Sequence, residues 1–312
     1  MLSRVADSLY WMSRYMERTD GVLRMLRINY ASSQDDIQDF SWKPALRIFS
    51  YLGEEEAGAV AQNSREVLQY MVTDRENVNS VLSLVTRARE NARSVQDHIT
   101  KELWQCLNEF YHIIRDGQVV RGLHADDPVS ILDVLIRQGL LYYGTTDVTM
   151  ARGEGYAFMN IGKFLERGVQ SADILDIKFS DLQYDFTRTD TNSNYWKYLL
   201  LSISGYELYL KTYRTGFDAR NVVELIVLNE DFPRSVIYSV NQLCNYFERL
   251  KSDRNKEVYR KIDFMIGKIR SRVKYSTVES ILQQGLHNYL KGLKDDLYEV
   301  GNAFNQHYFA YT

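Results

Sequence analysis

Several features are scarce in this sequence, and each scarcity excludes a class of protein. The 312 residues include two cysteines, Cys106 and Cys244, so we expect neither a disulfide framework nor a cysteine-rich zinc site. Three prolines in the chain argue against a loop-rich sandwich or barrel. No uncharged apolar run reaches the ~18 residues of a membrane span, and charges interrupt residues 1–20, so no signal peptide is expected. We therefore expect a cytoplasmic protein without a membrane partner.

An excess of charge of one sign is also lacking. With 38 basic and 41 acidic residues the formal net charge is −3, which predicts no binding to nucleic acid or to an anionic membrane surface. The length allows one large domain or two of about 150 residues. A chain of this size buries roughly three quarters of its unfolded surface, so its core needs no metal or disulfide.

Helical periodicity, in contrast, is abundant. Two apolar tracts, residues 134–143 and 224–229, have the composition of strands, but their neighbours have a helical period, so we interpret both as buried helix. The predicted fold class is all-α, a helical bundle. The clearest stripe, at spacings of three and four, consists of Leu2, Val5, Leu9, Met12, Met16, Thr19, Leu23 and Leu26.

Capping residues predict where two of the helices begin. Asn77 or Asn79 precedes a helical pattern that runs towards Arg115 with at most a brief interruption. Asp126 or Asp127 stands before a proline, which is the pattern of an N-cap followed by proline in the first turn.

The sequence also resembles itself. At a shift of 149 residues the stripe of the first helix meets a second apolar stripe, and residues 15–18 (YMER) align with 164–167 (FLER). A second alignment, at a shift of 155, pairs residues 79–81 with 234–236. We interpret these matches as an internal duplication. It predicts two pseudo-repeats of about 150 residues around one shared core in a single domain, 1–312, with halves near 1–120 and 125–312.

The repeated Glu-Arg pairs form the first candidate site. Adjacent residues on a helix diverge by about 100°, so Glu17 faces Arg14, one turn earlier, rather than Arg18. Two interpretations stay open for these three residues and for their counterparts Glu166 and Arg167. Either they form an ion-pair network that joins the repeats, or they converge on the pseudo-twofold axis and bind a carboxylate or phosphate ligand.

Residues 87–104 carry the second candidate site, with charges at steps of three and four on one predicted helix. A solvated helix face gives the same pattern. The alternative is a substrate-binding face on which Asp97 and His98 perform acid–base chemistry, and this requires a cleft at that place. The charged residues concerned are Arg89, Glu90, Arg93, Asp97, His98 and Glu102.

Two further segments contain candidate ligand-binding residues. Asp147, Thr149 and Arg152 lie in a glycine-rich segment, which is either a loop that introduces the second repeat or a ligand-binding loop. Arg234 and Ser235 are predicted in the first turn of a helix, where free backbone N–H groups favour anions.

We expect no cofactor and no metal. The glycine-rich segment is not followed by the Gly-Lys-Ser/Thr of a phosphate-binding loop. Glu109 and His112 match one Glu-x-x-His element of di-iron bundles, but the sequence has no second copy.

Four motifs give the sequence a family resemblance. They are LSRVADSLYWMSRYMERTD, RENARSVQDHITKELW, TMARGEGYAFMNIGKFLERG and TYRTGFDARNVVELIVLNEDFPRSV, and they occur in this order over nearly the whole chain. Together they resemble the bacterial alpha-E family, named for its helices and its Glu-Arg motif. The residues that match the family are Arg14, Glu17, Arg18, Arg89, Glu90, Arg93, Asp97, His98, Glu102, Asp147, Thr149, Arg152, Glu166, Arg167, Pro233, Arg234 and Ser235.

The resemblance implies a function through the company that the family keeps and assigns no catalytic residue. Members are typically encoded beside an ATP-grasp protein resembling amide-bond ligases and a transglutaminase-like peptidase. It therefore implies an accessory or scaffold subunit that assists synthesis or modification of a peptide-like product, with a homodimer as a further option. The alternative is a stand-alone enzyme, with Glu17 or Glu166 as the acid–base and Arg18, Arg167 or Arg152 holding a carboxylate.

Overall fold

The computed structural model describes residues 1–34, 41–125, 127–186, 193–214, 216–251 and 256–309. These ranges contain helices joined by turns and no strand, so the all-α prediction is confirmed. Residues 134–143 lie inside a long helix, and residues 224–228 form a π-helical turn, so both apolar tracts are helical as predicted.

The chain divides into two compact units. The first unit comprises residues 11–151, and the second comprises residues 1–10 together with the chain from Arg152 onward. The unit boundary thus follows residue 151, whereas the predicted halves were separated near residues 120–125. The duplication and the single shared core stay predictions.

The first unit contains most of α1 and seven further helices. The buried residues of its main helices recur every three or four positions, which gives each helix one apolar face towards the core. On α6 these residues are Leu103, Leu107, Phe110 and Ile114. The helices are α1 (Ser3–Gln34), α2 (Lys43–Phe49), α3 (Glu54–Val60), α4 (Ser64–Val72), α5 (Val81–Ser94), α6 (Lys101–Arg115), α7 (Gly117–Leu123) and α8 (Pro128–Thr149).

Four helices form the bundle of the first unit. Helix α5 packs on α6, and α6 packs on α8. Helix α8 contacts α1 through a buried hydrogen bond between the hydroxyls of Tyr142 and Ser13, at 3.0 Å, and through the ion pair of Arg27 with Asp133. Helix α1 also contacts α5, because the Arg87 guanidinium lies over the Tyr15 ring. This contact closes the bundle.

The second unit is built around one long helix, α9. Its helices are α9 (Glu154–Asp181), α10 (Ser193–Ser202), α11 (Tyr206–Thr212), α12 (Ala219–Val223), α13 (Val236–Glu248), α14 (Lys256–Lys274), α15 (Val278–Gln284) and α16 (Leu286–Phe304). Helices α13 and α16 both pack on α9, and α14 packs on α13 and on α16.

The first turns of α1 are an integral part of the second unit. Tyr10 is completely buried and packs against Phe304 and Phe309. On the other side of Tyr10, a Cβ atom at Gly162 would lie 2.3 Å from the Tyr10 carbonyl oxygen. Glycine is therefore required there, because only a residue without a side chain permits so close a helix approach.

Two of the predicted helix starts need correction or completion. Helix α5 is capped by Ser80, whose hydroxyl accepts from the Ser83 N–H, and not by Asn77 or Asn79. Asp127 caps α8 as predicted, while its alternative, Asp126, lies outside the described residues.

The helical pattern that runs towards Arg115 contains the brief interruption that the prediction allowed, and it forms two helices. Helix α5 ends at Ser94, a 3₁₀ turn spans Gln96–His98, and α6 begins at Lys101 after its cap Thr100. The two helices pack side by side as a hairpin. Sequence periodicity did not locate the break, because charged and apolar residues alternate with a helical period on both sides of it.

Candidate functional site

The Glu-Arg pair of the first unit is buried in the bundle. Glu17 is 0% exposed, and its carboxylate accepts a hydrogen bond of 2.6 Å from the Tyr143 hydroxyl on α8. One turn earlier, the Arg14 guanidinium is also buried and lies 4.7 Å from the Trp11 ring centroid. Because a buried carboxylate is costly without donors, the tyrosine hydroxyl serves to hold α8 against α1.

Arg18 acts on a different part of the unit. Its guanidinium donates a hydrogen bond of 3.0 Å to the side-chain oxygen of Asn79. Asn79 directly precedes Ser80, the N-cap of α5. The arginine therefore ties α1 to the turn from which α5 begins, while the neighbouring glutamate contacts α8.

The Glu-Arg pair of the second unit has a similar division of work. Glu166 is 1% exposed and accepts from the Gln170 amide at 3.4 Å. Arg167 donates to the carbonyl oxygen of Pro233 at 3.2 Å, in the turn that leads into α13. One helical turn after Arg167, the Ser171 hydroxyl donates to the carbonyl oxygen of Arg234 at 2.7 Å.

In each unit, then, the glutamate is buried and the adjacent arginine binds the turn before the next bundle helix. The 100° between neighbouring helix positions explains the division, because the two side chains must face different neighbours. This positioning of helices is a structural task, and it is what the described contacts of both pairs accomplish.

The second predicted site does not form as predicted. Asp97 and His98 lie exposed in the 3₁₀ turn, not on a helix face shared with Arg89 and Arg93. The reason is the helix break, which places the two groups of charges on different elements. The single charged face over residues 87–104 is therefore wrong.

Arg89 and Arg93 make ordinary helix contacts. Arg89 donates to the Asn108 side chain of α6 at 2.8 Å and pairs with Glu90, also at 2.8 Å. Arg93 lies 3.8 Å from the same Glu90 carboxylate and is mostly exposed. These contacts join α5 to α6 and place one ion pair on the surface. Glu102 lies in the first turn of α6.

The remaining predicted residues lie at the edges of helices. Arg152 is exposed just before α9, and its guanidinium is 4.2 Å from the Tyr156 ring centroid. Arg234 and Ser235 are not in the first turn of α13, because Ser235 is its N-cap and Arg234 precedes the cap. Their predicted position in the first turn is therefore wrong, because α13 begins only at Val236, after both residues. In the first unit, the Thr149 hydroxyl bonds that of Thr100 at 2.8 Å.

Sequence reasoning missed a polar network on α9. Asp176 is buried, and its carboxylate lies 3.0 Å from His287 Nδ1 and 2.9 Å from the Tyr184 hydroxyl, which donates to it. Lys294 of α16 donates to Asp173 at 2.7 Å and to Asp176 at 3.4 Å. The only sequence signal is the i, i+3 spacing of the two aspartates, because their partners lie far along the chain.

The charges of this network shift its pKa values. Burial raises the pKa of Asp173, although the Lys294 ammonium lowers it. Burial lowers the pKa of Lys294, but Asp173 and Asp176 more than offset this, so it ends above its usual value. Burial and the hydrogen bond to Asp176 raise the pKa of Tyr184 to about 12. Two carboxylates thus share one ammonium, and the Asp173 carboxyl keeps its proton to a higher pH than usual.

Residues 1–309 match the Alpha-E family, which is described as a predicted alpha-helical domain with a conserved ER motif. This chain belongs to the Alpha-E family. The family resemblance is thereby confirmed.

Individual relatives of this Alpha-E chain are distant. Uncharacterized proteins of Mycobacterium bovis and of two Mycobacterium tuberculosis strains are 22% identical to it over 267 residues. The match covers 77% of this chain and 29% of each relative, so it spans less than a third of their length. No solved structure matches the chain.

Three further properties of the Alpha-E chain concern metals, membranes and thiols. Among the described residues, no three His, Cys, Asp or Glu side chains gather where they would hold a metal ion. None of the described helices has both the length and the apolarity needed to cross a bilayer. Burial raises the pKa of Cys106 and that of Cys244 to about 11, which keeps both as unreactive thiols at neutral pH.

Proposed function

We propose that this Alpha-E chain is a non-catalytic, cytoplasmic accessory subunit. Its partners are an ATP-grasp amide-bond ligase and a transglutaminase-like peptidase, and its task is to assist synthesis or modification of a peptide-like product. The partners follow from the family resemblance. The observation that carries the non-catalytic role is the burial of both Glu-Arg carboxylates.

Burial matters because a general acid or base must reach the proton that it moves. Such a group lies within hydrogen-bond distance of its substrate, or one water away. Glu17 and Glu166 are 0% and 1% exposed, and they accept hydrogen bonds from Tyr143 and Gln170. Groups held in this way support the packing of helices rather than chemistry on a dissolved substrate.

The arrangement of the mycobacterial relatives supports an accessory role. In those proteins the matched segment is 29% of the chain, so additional sequence accompanies it in one polypeptide. A domain that is covalently joined to further sequence in some proteins is a good candidate for an assembly partner when it occurs on another chain.

The stand-alone enzyme is the alternative, with the same glutamates as the acid–base and Arg18, Arg167 or Arg152 as an anion clamp. The Arg18 and Arg167 guanidiniums already donate to oxygens of their own unit, namely those of Asn79 and Pro233. A substrate would have to replace these bonds, which does not favour this alternative.

Reconstitution tests the proposal. The protein is tagged at its native locus, co-purifying proteins are identified, and ATP-dependent amide-bond formation by the neighbouring ATP-grasp protein is measured with and without it. We expect stable co-purification and a higher ligase rate in its presence. Absence of the ligase from the purified material, together with an unchanged rate, would contradict the accessory role.

Isosteric variants separate the two functions. Glu17→Gln and Glu166→Gln remove the ionisable group but keep the shape of the side chain. An accessory subunit carrying either change stimulates the ligase as well as the wild type does, provided that circular dichroism shows it folded. If Glu17 or Glu166 were a catalytic acid–base, the change would instead lower the measured rate of amide-bond formation about 10²- to 10⁴-fold. That result would favour the stand-alone enzyme over the accessory subunit.

A further inference from the structure

A groove in the first unit, which the Glu-Arg pairs do not line, is surrounded by arginines. It lies between the beginning of α5 and the end of α6, and it has a volume of about 360 Å³. Arg87 of α5, Arg115 of α6 and Arg75 of the preceding loop all line it, together with Tyr111. We call it the arginine groove. It is open to solvent, because these three arginine side chains are exposed.

The three arginines of this groove are not neutralised by the protein. Within the described part of the chain, none of them forms an ion pair with a carboxylate. Two acids close to these arginines in the sequence are engaged elsewhere: Asp74 accepts from two backbone N–H groups, and Glu90 pairs with Arg89. Three guanidinium groups around one cavity repel one another, so an anion between them is favourable.

Tyr111 supplies a further donor. The Arg89 and Arg115 guanidiniums lie 4.5 Å and 5.0 Å from the centroid of its ring, so two cations contact the ring. The Tyr111 hydroxyl accepts a hydrogen bond of 2.6 Å from Arg115, and its own hydrogen makes no bond within the described residues. The hydroxyl is therefore ready to donate to a ligand, while the ring is not available to stack on a base.

We propose that the arginine groove binds a small molecule through a phosphate or oligophosphate group. Three guanidiniums and a hydroxyl offer more donors than the two oxygens of a carboxylate can accept. The tetrahedral oxygens of phosphate accept from several directions, and guanidinium forks match them in pairs. This inference is independent of the accessory role, since neither Glu-Arg pair contributes to the groove.

The rest of the groove suits the carrier of the phosphate. Val78 and Leu82 give one wall an apolar surface. Ser83 lies at the third position of α5, so the positive end of the helix dipole adds to the field of the arginines. The Thr86 hydroxyl donates to the Leu82 carbonyl, which leaves its oxygen as an acceptor for a hydroxyl of the carrier.

Calorimetric titration with inorganic tripolyphosphate tests the proposal on the full chain at low ionic strength. We expect saturable binding that weakens steeply as salt is added, because the arginines are exposed. Each single change, Arg75→Gln, Arg87→Gln or Arg115→Gln, weakens binding about tenfold, and the triple variant about 100-fold or more. Tyr111→Phe weakens it about threefold by removing the hydroxyl donor.

A second triple variant is the matched control. Arg121→Gln, Arg137→Gln and Arg260→Gln alter the net charge by the same amount at exposed positions outside the groove. This control keeps its affinity within about twofold if the site is specific. Binding by the control that falls as far as binding by the groove variant would overturn the proposal, since total charge would then explain it.

Two further ligands identify the source of the phosphate. Tricarballylate carries three carboxylates, and we expect it to bind at least tenfold more weakly than tripolyphosphate. ATP that binds more tightly than tripolyphosphate supports a nucleotide carrier, and equal affinity supports the oligophosphate alone. No tripolyphosphate binding, or tricarballylate binding of equal strength, refutes a phosphate site.

Discussion

Replacing Tyr143 by phenylalanine removes one hydroxyl group and leaves the Glu17 carboxylate without that donor. The change is small, since the ring that packs beside α1 is retained. Glu17 is completely buried and the hydrogen bond is 2.6 Å long, which makes the pair a direct measure of how much the Glu-Arg motif contributes to the bundle.

The expected cost of Tyr143→Phe is about 2 kcal/mol. A hydrogen bond to a charged group contributes about 1.5–3 kcal/mol, and a buried acceptor that loses its donor also keeps the cost of desolvation. Tyr143 is half-buried, so a value in the lower half of this range is appropriate. For a domain of about 150–250 residues, a loss of this size lowers the melting temperature by roughly 4–8 °C.

A double-mutant cycle isolates the interaction. Tyr143→Phe, Glu17→Gln and the double variant are compared by urea unfolding, followed by circular dichroism. We expect each single change to cost about 1–3 kcal/mol and the double variant to cost at least 1 kcal/mol less than their sum. Tyr275→Phe is the control: this tyrosine is 80% exposed, so its change stays within about 0.5 kcal/mol. Additive effects, or a Tyr143→Phe cost equal to the control, would refute the reasoning.

Three other perturbations test other parts of the second unit. Ser235→Ala removes the N-cap of α13 and should cost about 1 kcal/mol in urea unfolding. Lys294→Met leaves the carboxylates of Asp173 and Asp176 without their shared ammonium, and we expect a loss of about 2 kcal/mol at pH 7. That loss shrinks as the pH falls towards 4, because a carboxyl that has taken up a proton no longer needs an ammonium partner. The sign follows from the raised folded-state pKa of Asp173, since a carboxyl of this kind stabilises the folded state below its unfolded pKa. Cys244, with a pKa of about 11, should react with iodoacetamide at pH 8 on the order of 100-fold more slowly than free cysteine.

Each of these predictions has a matched control. Ser271→Ala alters an exposed serine inside α14 that caps no helix, and it should leave stability unchanged. Lys268→Met removes a mostly exposed lysine, so its effect should be small at every pH. Alkylation of Cys244 in urea should reach the rate of free cysteine. A pH-independent cost for Lys294→Met, or fast alkylation of the folded protein, would contradict the assigned environments.

The fold class and the helical state of the two apolar tracts were predictable because both depend on local spacing. The stripe of α1 alternates steps of three and four, and residues 134–143 have helical neighbours on both sides. Neither inference needs knowledge of which helix packs on which. The cap of α5 was harder to predict, since Asn77, Asn79 and Ser80 all have side chains that cap helices, and tertiary contacts decide between them.

The arginine groove and the aspartate network were not predictable, since both join residues distant in the sequence. Arg87 and Tyr111 meet only because the turn over Gln96–His98 folds α5 back on α6. On one uninterrupted helix these two residues would lie several turns apart. Likewise, Asp176 and His287 are 111 positions apart and meet through the packing of α16 on α9.

The discontinuous second unit has a consequence for synthesis of the protein on the ribosome. Leu9 and Tyr10 pack against elements that begin with α9, and about 140 residues of the first unit are made in between. At about 5–20 residues per second, the first of these elements begins to emerge roughly 7–28 s later. During that interval an apolar segment leaves the ribosome without the surface that buries it. The first unit is therefore synthesised before the opening residues of the second unit can pack. During that interval these apolar residues are exposed, and a chaperone that binds unfolded segments can bind them.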